Sequence, residues 1–183
     1  MNSTTNWNEV EDLKEFEKLP AGGYICGITK VEDVADRQYL RIEYDIAEGE
    51  FKNYFRNLNE SLGFWAGNFI RSYTVKAQGF FKAFLTAVEK SNHTFKVIDF
   101  NNDERKLKRM YVGLVLGEEE YLNAKGEVKT RMYVVETRST QAIKDGDFKV
   151  PELKKLKATP PTSNKPAEVD FEEIGVDDGD LPF

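Results

Sequence analysis

One cysteine and one histidine, Cys26 and His93, are all that a chain of 183 residues holds of either type. A lone cysteine excludes an internal disulfide and suits a reducing compartment. A lone histidine excludes a Cys/His zinc cluster. It also leaves little for histidine-rich metal sites or for Ser/His/Asp chemistry that needs a second imidazole. His93 is therefore read as an ordinary surface residue. No apolar run approaches the roughly 20 residues of a membrane span, and the polar first eight residues lack a signal-peptide pattern. A cytoplasmic protein without membrane contact is expected. The chain has no GxxxxGK[ST] phosphate loop, so an ATP-driven motor is not expected either. No repeat is visible, and nothing calls for a cofactor.

Apolar residues, by contrast, are plentiful. They make up 40% of the chain and aromatic residues 13%, enough for one good core, hence one domain with tails. The net charge of −6 hides an uneven distribution. Residues 1–67 carry 7 cations against 13 anions, residues 68–157 carry 18 against 12, and residues 158–183 carry 1 against 7. The second half of the body is basic, so the overall acidity does not argue against a nucleic-acid partner.

Taken in order, the spacing of apolar residues predicts a short amphipathic helix over residues 9–18, carried by Val10, Leu13 and Phe16. After Pro20 and two glycines, residues 24–31 have strand character, with Gly27 marking a bulge or bend. Residues 37–46 form the cleanest strand: Leu40, Ile42, Tyr44 and Ile46 alternate with Tyr39, Arg41, Glu43 and Asp45. A turn follows. Residues 51–57 are read as a third strand with Lys52, Tyr54 and Arg56 on its polar side. Residues 59–74 have no clear period, and Trp65 and Phe69 are taken as core or subunit contact. Residues 75–91 predict a helix, with Phe80, Phe81, Phe84, Leu85 and Val88 as a core stripe and Asn92 as its end. A basic cluster, Arg105 to Arg109, leads into a strand over 110–116. A turn over 118–126 and a returning strand over 128–138 complete a hairpin. Prolines and small polar residues from 158 to 165 make a linker.

The chain ends in Asp177-Asp178-Gly179-Asp180-Leu181-Pro182-Phe183. From Ala167 onward there are seven carboxylates and no cation, a composition that stays solvated and mobile. The apolar tip is more than a solubilising tail needs. This segment resembles the acidic tip of bacterial and phage single-stranded-DNA-binding proteins, in which aspartates, an aliphatic residue, Pro and Phe close a disordered tail. Gly179 interrupts the aspartate run, and Leu181 stands where isoleucine is commoner. The unusual body suits a phage-encoded member acting in a bacterial host.

The resemblance implies recruitment of replication or recombination proteins through Asp177, Asp178, Asp180, Leu181, Pro182 and Phe183. The order of three strands, a helix and two strands is also that of the OB-fold, a five-stranded partly open β-barrel that binds oligonucleotides. The expected protein is thus mainly β with one or two helices. Residues 1–157 would be an OB-fold domain with an N-terminal extension, and residues 158–183 a disordered linker and acidic tail.

Such a body would bind single-stranded DNA without strong sequence preference and protect it during replication, recombination and repair. Bases stack on aromatic rings while Lys and Arg track phosphates. Tyr39, Tyr54 and Tyr133 are the expected platforms, with Arg41, Lys52, Arg56 and Arg131 on phosphate. Lys106, Lys108, Arg109, Lys125 and Lys129 would extend the groove. The acidic tip is expected to rest in this same groove until DNA displaces it. Self-association is left open. Two other classes stand beside this reading. Asp99, Asp103, Glu104 and Glu118 to Glu120 suggest a divalent-metal nuclease, and the tail alone suggests a protein-only adaptor.

Overall fold

A computed structural model describes residues 17–156. The expected linker and acidic tip lie outside these residues, as does the expected N-terminal helix apart from Glu17 and Lys18. The protein is mainly β, as expected. Strands β1 (Gly22–Val34), β2 (Tyr39–Ile46), β3 (Asn68–Ser72), β4 (Tyr111–Leu122) and β5 (Val128–Arg138) form one antiparallel sheet in the order β3-β2-β1-β4-β5. The sheet is not closed: β3 and β5 are its edges.

The long first strand serves two partners. Gly22 to Gly27 pair with Leu116 to Tyr111 of β4, while Cys26 to Val34 pair with Ile46 to Tyr39 of β2. The register shifts between Ile28 and Lys30, so Thr29 is an extra residue. This bulge lies two residues beyond the glycine that announced it. The Ile28 carbonyl accepts from the Arg109 amide at 2.8 Å, and the Ile28 amide donates to the Met110 carbonyl at 2.9 Å, tying the approach to β4 onto the bend.

The third strand is not at residues 51–57, where it was expected. Asn53 takes a left-handed backbone with φ of 63°, which no regular strand allows, and helix α1 (Tyr54–Leu62) follows. Gly63 closes it at φ 78°. Phe55 and Leu58, three residues apart, enter the core. Asp45 at the end of β2 holds the start of this helix: its Oδ1 accepts from the Phe55 amide at 3.0 Å and the Ile46 amide at 2.9 Å. The true β3 lies in the stretch without a clear period. Phe69 pairs with Ile42 there and is buried. Gly67 leads into it; a Cβ there would stand 2.4 Å from the Tyr44 carbonyl oxygen.

Helix α2 (Gln78–Ser91) is preceded by a 3₁₀ turn over Val75–Ala77. It packs against β3, β4 and β5. Phe84, Leu85, Ala87 and Val88 are buried, whereas Phe80, expected in the core, is 77% exposed. At 100° per residue, Phe80 falls off the stripe made by Phe81, Phe84, Leu85 and Val88. Asn92 ends the helix as expected, and its side chain grips β4: Nδ2 donates to the Tyr111 carbonyl at 2.8 Å and Oδ1 accepts from its amide at 2.9 Å. Edge-to-face pairs Tyr44–Phe55, Tyr44–Phe69 and Phe69–Phe84, with centroids 5.1, 5.7 and 5.9 Å apart, knit α1, the sheet and α2 together.

Strand β4 runs on through Glu118 to Leu122, where a turn was expected, and the turn itself is held by Asn123, whose Oδ1 accepts from the Lys125 and Glu127 amides. A third helix, α3 (Thr140–Lys144), exceeds the one or two expected. It opens a strap over the outer face of β1 and β4, seated where side chains are missing. A Cβ on Gly113 would lie 2.5 Å from Ile143 Cγ1, one on Gly23 would lie 2.5 Å from the Phe148 ring, and one on Gly117 would lie 3.1 Å from Pro151. The strap ends on β4, where the Lys154 amide donates to Glu118 and its carbonyl accepts from Glu120, both at 2.9 Å. No helix of the described residues is long and apolar enough to cross a membrane.

Two contrasting glycines test the strap. Gly113→Ala should destabilise by about 1–3 kcal/mol, the usual cost of overpacking, and Ile143→Ala should relieve part of it. Gly79→Ala, where nothing lies within 4 Å, should instead stabilise by about 0.4–1 kcal/mol. Thermal unfolding of the variants measures both.

Asp45 supplies a pH test. Burial raises its pKa above the ordinary aspartate value, against the pull of the Phe55, Ile46 and Arg56 amides and the Arg56 charge. Its Oδ2 has no hydrogen-bond partner among the described residues. The folded protein therefore keeps a proton that the unfolded chain has released, and stability contributed by Asp45 falls as pH rises from the ordinary value through the raised one. Chemical denaturation at a series of pH values should show that decline in the wild type and lose it in Asp45→Asn.

Candidate nucleic-acid interface

Strand alternation sends one set of side chains into the core and the other to the opposite, outer face. Pairing of β1, β2 and β3 then fixes three outer rows: Lys30, Glu43 and Asn68; Glu32, Arg41 and Ile70; Val34, Tyr39 and Ser72. The β1–β2 turn, with exposed Arg37, borders these rows at one end. Toward β4 the same face continues through Gly27, which pairs with Asp45 on one side and Tyr111 on the other. Tyr111 is 48% exposed. Its ring lies 3.8 Å from the point where a Cβ on Gly27 would stand, so the missing side chain makes room for it.

The residues expected to bind are only partly gathered here. Arg41 is on the outer face, half-buried, and has no carboxylate in contact among the described residues. Tyr39 is on that face too but is 8% exposed, which withdraws it as an open stacking platform. Lys52, Tyr54 and Arg56 leave the sheet altogether because their segment is turn and helix. Tyr54 packs against Phe51 and Phe55, with ring centroids 6.2 and 5.2 Å away.

The ribbon of β4 and β5 brings together Lys129, Arg131 and Tyr133, but with carboxylates beside them. Arg131 Nε lies 2.8 Å from Glu119 and its guanidinium covers the Tyr121 ring at 5.1 Å. Lys129 lies 4.0 Å from Glu127, and Lys154 sits 3.8 Å from Glu119 and 5.7 Å from the Tyr133 ring centre. Lys125 is exposed in the ribbon's turn.

Of the basic cluster, Arg105 is paired with Asp103 at 2.8 Å, and Lys106 donates to the Asp99 carbonyl. Lys108 and Arg109 are exposed and make no ion pair among the described residues. The Asp103 carboxyl is held below its ordinary pKa by the Arg105 hydrogen bond.

The carboxylates considered as a nuclease site are dispersed among separate partners: Asp103 on Arg105, Glu118 on Lys18, Glu119 on Arg131 and Lys154, and Glu120 on the Leu156 amide. No group of three potential metal ligands is found among the described residues.

Tyr111 and Tyr121 are tyrosines of β4 that the sequence reading did not single out. Their signal is the odd-numbered alternation Tyr111, Gly113, Val115, Gly117, Glu119, Tyr121, which emerges only once β4 is seen to be twelve residues long.

Nitration with tetranitromethane should therefore modify Tyr111 first. Tyr44 should resist, since it is 3% exposed and burial holds its phenol well above the ordinary pKa. Tyr24, raised to about 12 mainly by burial, should be slow as well. Peptide mass mapping over time gives the order.

No protein-family model matches the chain, and no curated protein matches it.

Proposed function

We propose that this chain binds single-stranded DNA on the outer face of β1, β2 and β3 and along the adjoining β1–β2 and β4–β5 turns, in an OB-fold-like body. A sheet ordered β3-β2-β1-β4-β5 becomes a five-stranded barrel if its two edges approach one another. Helix α2, placed in sequence between β3 and β4, packs against β3, β4 and β5 at that seam. In the OB-fold the face of strands 2 and 3 and these two turns take the oligonucleotide.

The observation that carries the reading is Tyr111: an exposed phenol seated on Gly27 on the outer sheet face, two residues from Arg109, which makes no ion pair among the described residues. Bases stack on such a ring with little regard to sequence, and duplex DNA hides the surfaces it would take. Arg41, Lys108 and Arg109 supply charge for phosphates. Lys125 and Arg37 supply it at the turns. The acidic tip from Asp177 to Phe183, by its resemblance, recruits replication or recombination proteins.

A gel-shift with labelled oligo-dT and magnesium separates the classes: a shifted band supports this function, fragments would point to a nuclease, and neither to an adaptor. Tyr111→Ala should weaken binding by about 1–3 kcal/mol, roughly 5- to 150-fold. Replacing Lys108 and Arg109 with alanine should lower the slope of log affinity against log salt by about 1.4. Lys52→Ala with Arg56→Ala should change neither, and an effect as large as that of Tyr111→Ala would move the interface to α1.

A further inference from the structure

Helix α2 turns its inner stripe to the core and leaves a second stripe facing solvent. Lys76, Gly79, Ala83, Thr86 and Lys90 follow one another along it at three- and four-residue steps, with Phe80 and Lys82 on its flanks. All but Thr86, Ala83 and the glycine are cationic or aromatic, and only half-buried Thr86 is not exposed. Space above Gly79 is open: nothing lies within 4 Å of an added Cβ. Val75, just before the helix, is 84% exposed and Phe80 is 77% exposed.

Lys76, Lys82 and Lys90 make no ion pair among the described residues, and the one carboxylate of the helix, Glu89, is taken by Lys96 at 3.6 Å. On the outer sheet face the balance is different: Lys30 sits 3.3 Å from Glu43 and 3.9 Å from Glu32, and Arg131 and Lys154 share Glu119. An anionic segment would meet no carboxylate on this helix stripe, whereas on the sheet it would compete with Glu32 and Glu43 for Lys30.

We propose that the outer stripe of α2 is the seat of the chain's own C-terminal segment, Asp177 to Phe183. Laid antiparallel to α2, the segment sets Asp177 near Lys90 and Asp180 near Lys82, with Leu181, Pro182 and Phe183 against Ala83, Gly79 and the exposed ring of Phe80. The lengths agree. From Lys76 to Lys90 the helix rises about 21 Å, and seven extended residues span at most about 23–25 Å. The 20 residues between Leu156 and Asp177 reach up to about 70 Å, ample for a body with a radius of gyration of about 14 Å. This seat differs from the sheet-face groove that acidity alone suggests. It leaves the outer sheet face free while the tip is bound, and it does not depend on that face binding nucleic acid.

Cysteine trapping in the full chain tests it. Gly179→Cys is combined with Ala83→Cys on the stripe or with Asn68→Cys on the outer sheet face, both exposed positions, while buried Cys26 stays out of reach. Under mild oxidation at low concentration, the intrachain disulfide should form about tenfold faster with position 83 than with position 68, as a raised local concentration requires. Lys76→Glu, Lys82→Glu and Lys90→Glu together should remove most of that advantage. Equal or faster closure at position 68, a rate unmoved by the three charge reversals, or interchain dimers alone would overturn the proposal.

Discussion

The bend in β1 is the constraint on which the remaining architecture rests. A strand of thirteen residues pairs with β4 through its first half and with β2 through its second, and its register with β2 shifts where the pairing with β4 ends. The extra residue at Thr29 supplies that bend, since a bulge adds twist and redirects the chain. Two backbone bonds from Ile28 to Arg109 and Met110 lock it. Everything on the outer face inherits its position from this register. Gly27 falls opposite both Asp45 and Tyr111, so the same bend sets the anchor of α1 on one side and the exposed ring on the other.

Charge distribution along the sequence is a poor guide to charge on the surface. The basic second half suggested a basic ribbon, yet β4 brings Glu118, Glu119 and Glu120 alongside the cations of β5, and the strap adds Lys154 to the same carboxylate. Exposed pairs of this kind contribute little to stability, but they cancel the field that a phosphate chain would feel. Cations without an ion pair among the described residues include Arg41, Lys108 and Arg109 beside the sheet, and Lys76, Lys82 and Lys90 along the outer stripe of α2. The ligands proposed for the two differ in shape: a strand with stackable bases for the first, and a short carboxylate segment with an apolar end for the second.

Legibility followed length and period. Strands β2 and β5 and helix α2 were readable because eight or more residues repeat one pattern, and Asn92 was readable as a terminator. The segment from Phe51 to Leu62 was not, because Phe51 and Phe55 fit a strand as well as Phe55, Leu58 and Leu62 fit a helix. What decides it is tertiary: the Asp45 carboxylate, brought up by β2, receives the Phe55 amide. Strand β3 has five residues, too few for alternation to declare itself, and its partner across the sheet is what makes Phe69 a core residue. Tyr39 sits on the outer face by parity, as expected, but parity says nothing of what covers a side chain. Phe80 shows the converse error, an aromatic residue assigned to the core by type although its helical phase points away.

Glycine placement closes the argument about where a ligand has room. Gly23, Gly113 and Gly117 all lie on the outer face of β1 and β4, and each is filled from above by Phe148, Ile143 or Pro151. Gly27 shares that face but is met only by the Tyr111 ring of the neighbouring strand. The strap therefore covers the half of the sheet where three glycines admit it and stops short of the half where strands carry side chains. Its presence leaves the β1–β2–β3 rows and Tyr111 as the outer sheet surface that combines charge with an accessible aromatic ring, which is why the nucleic-acid reading rests there and not on the ribbon.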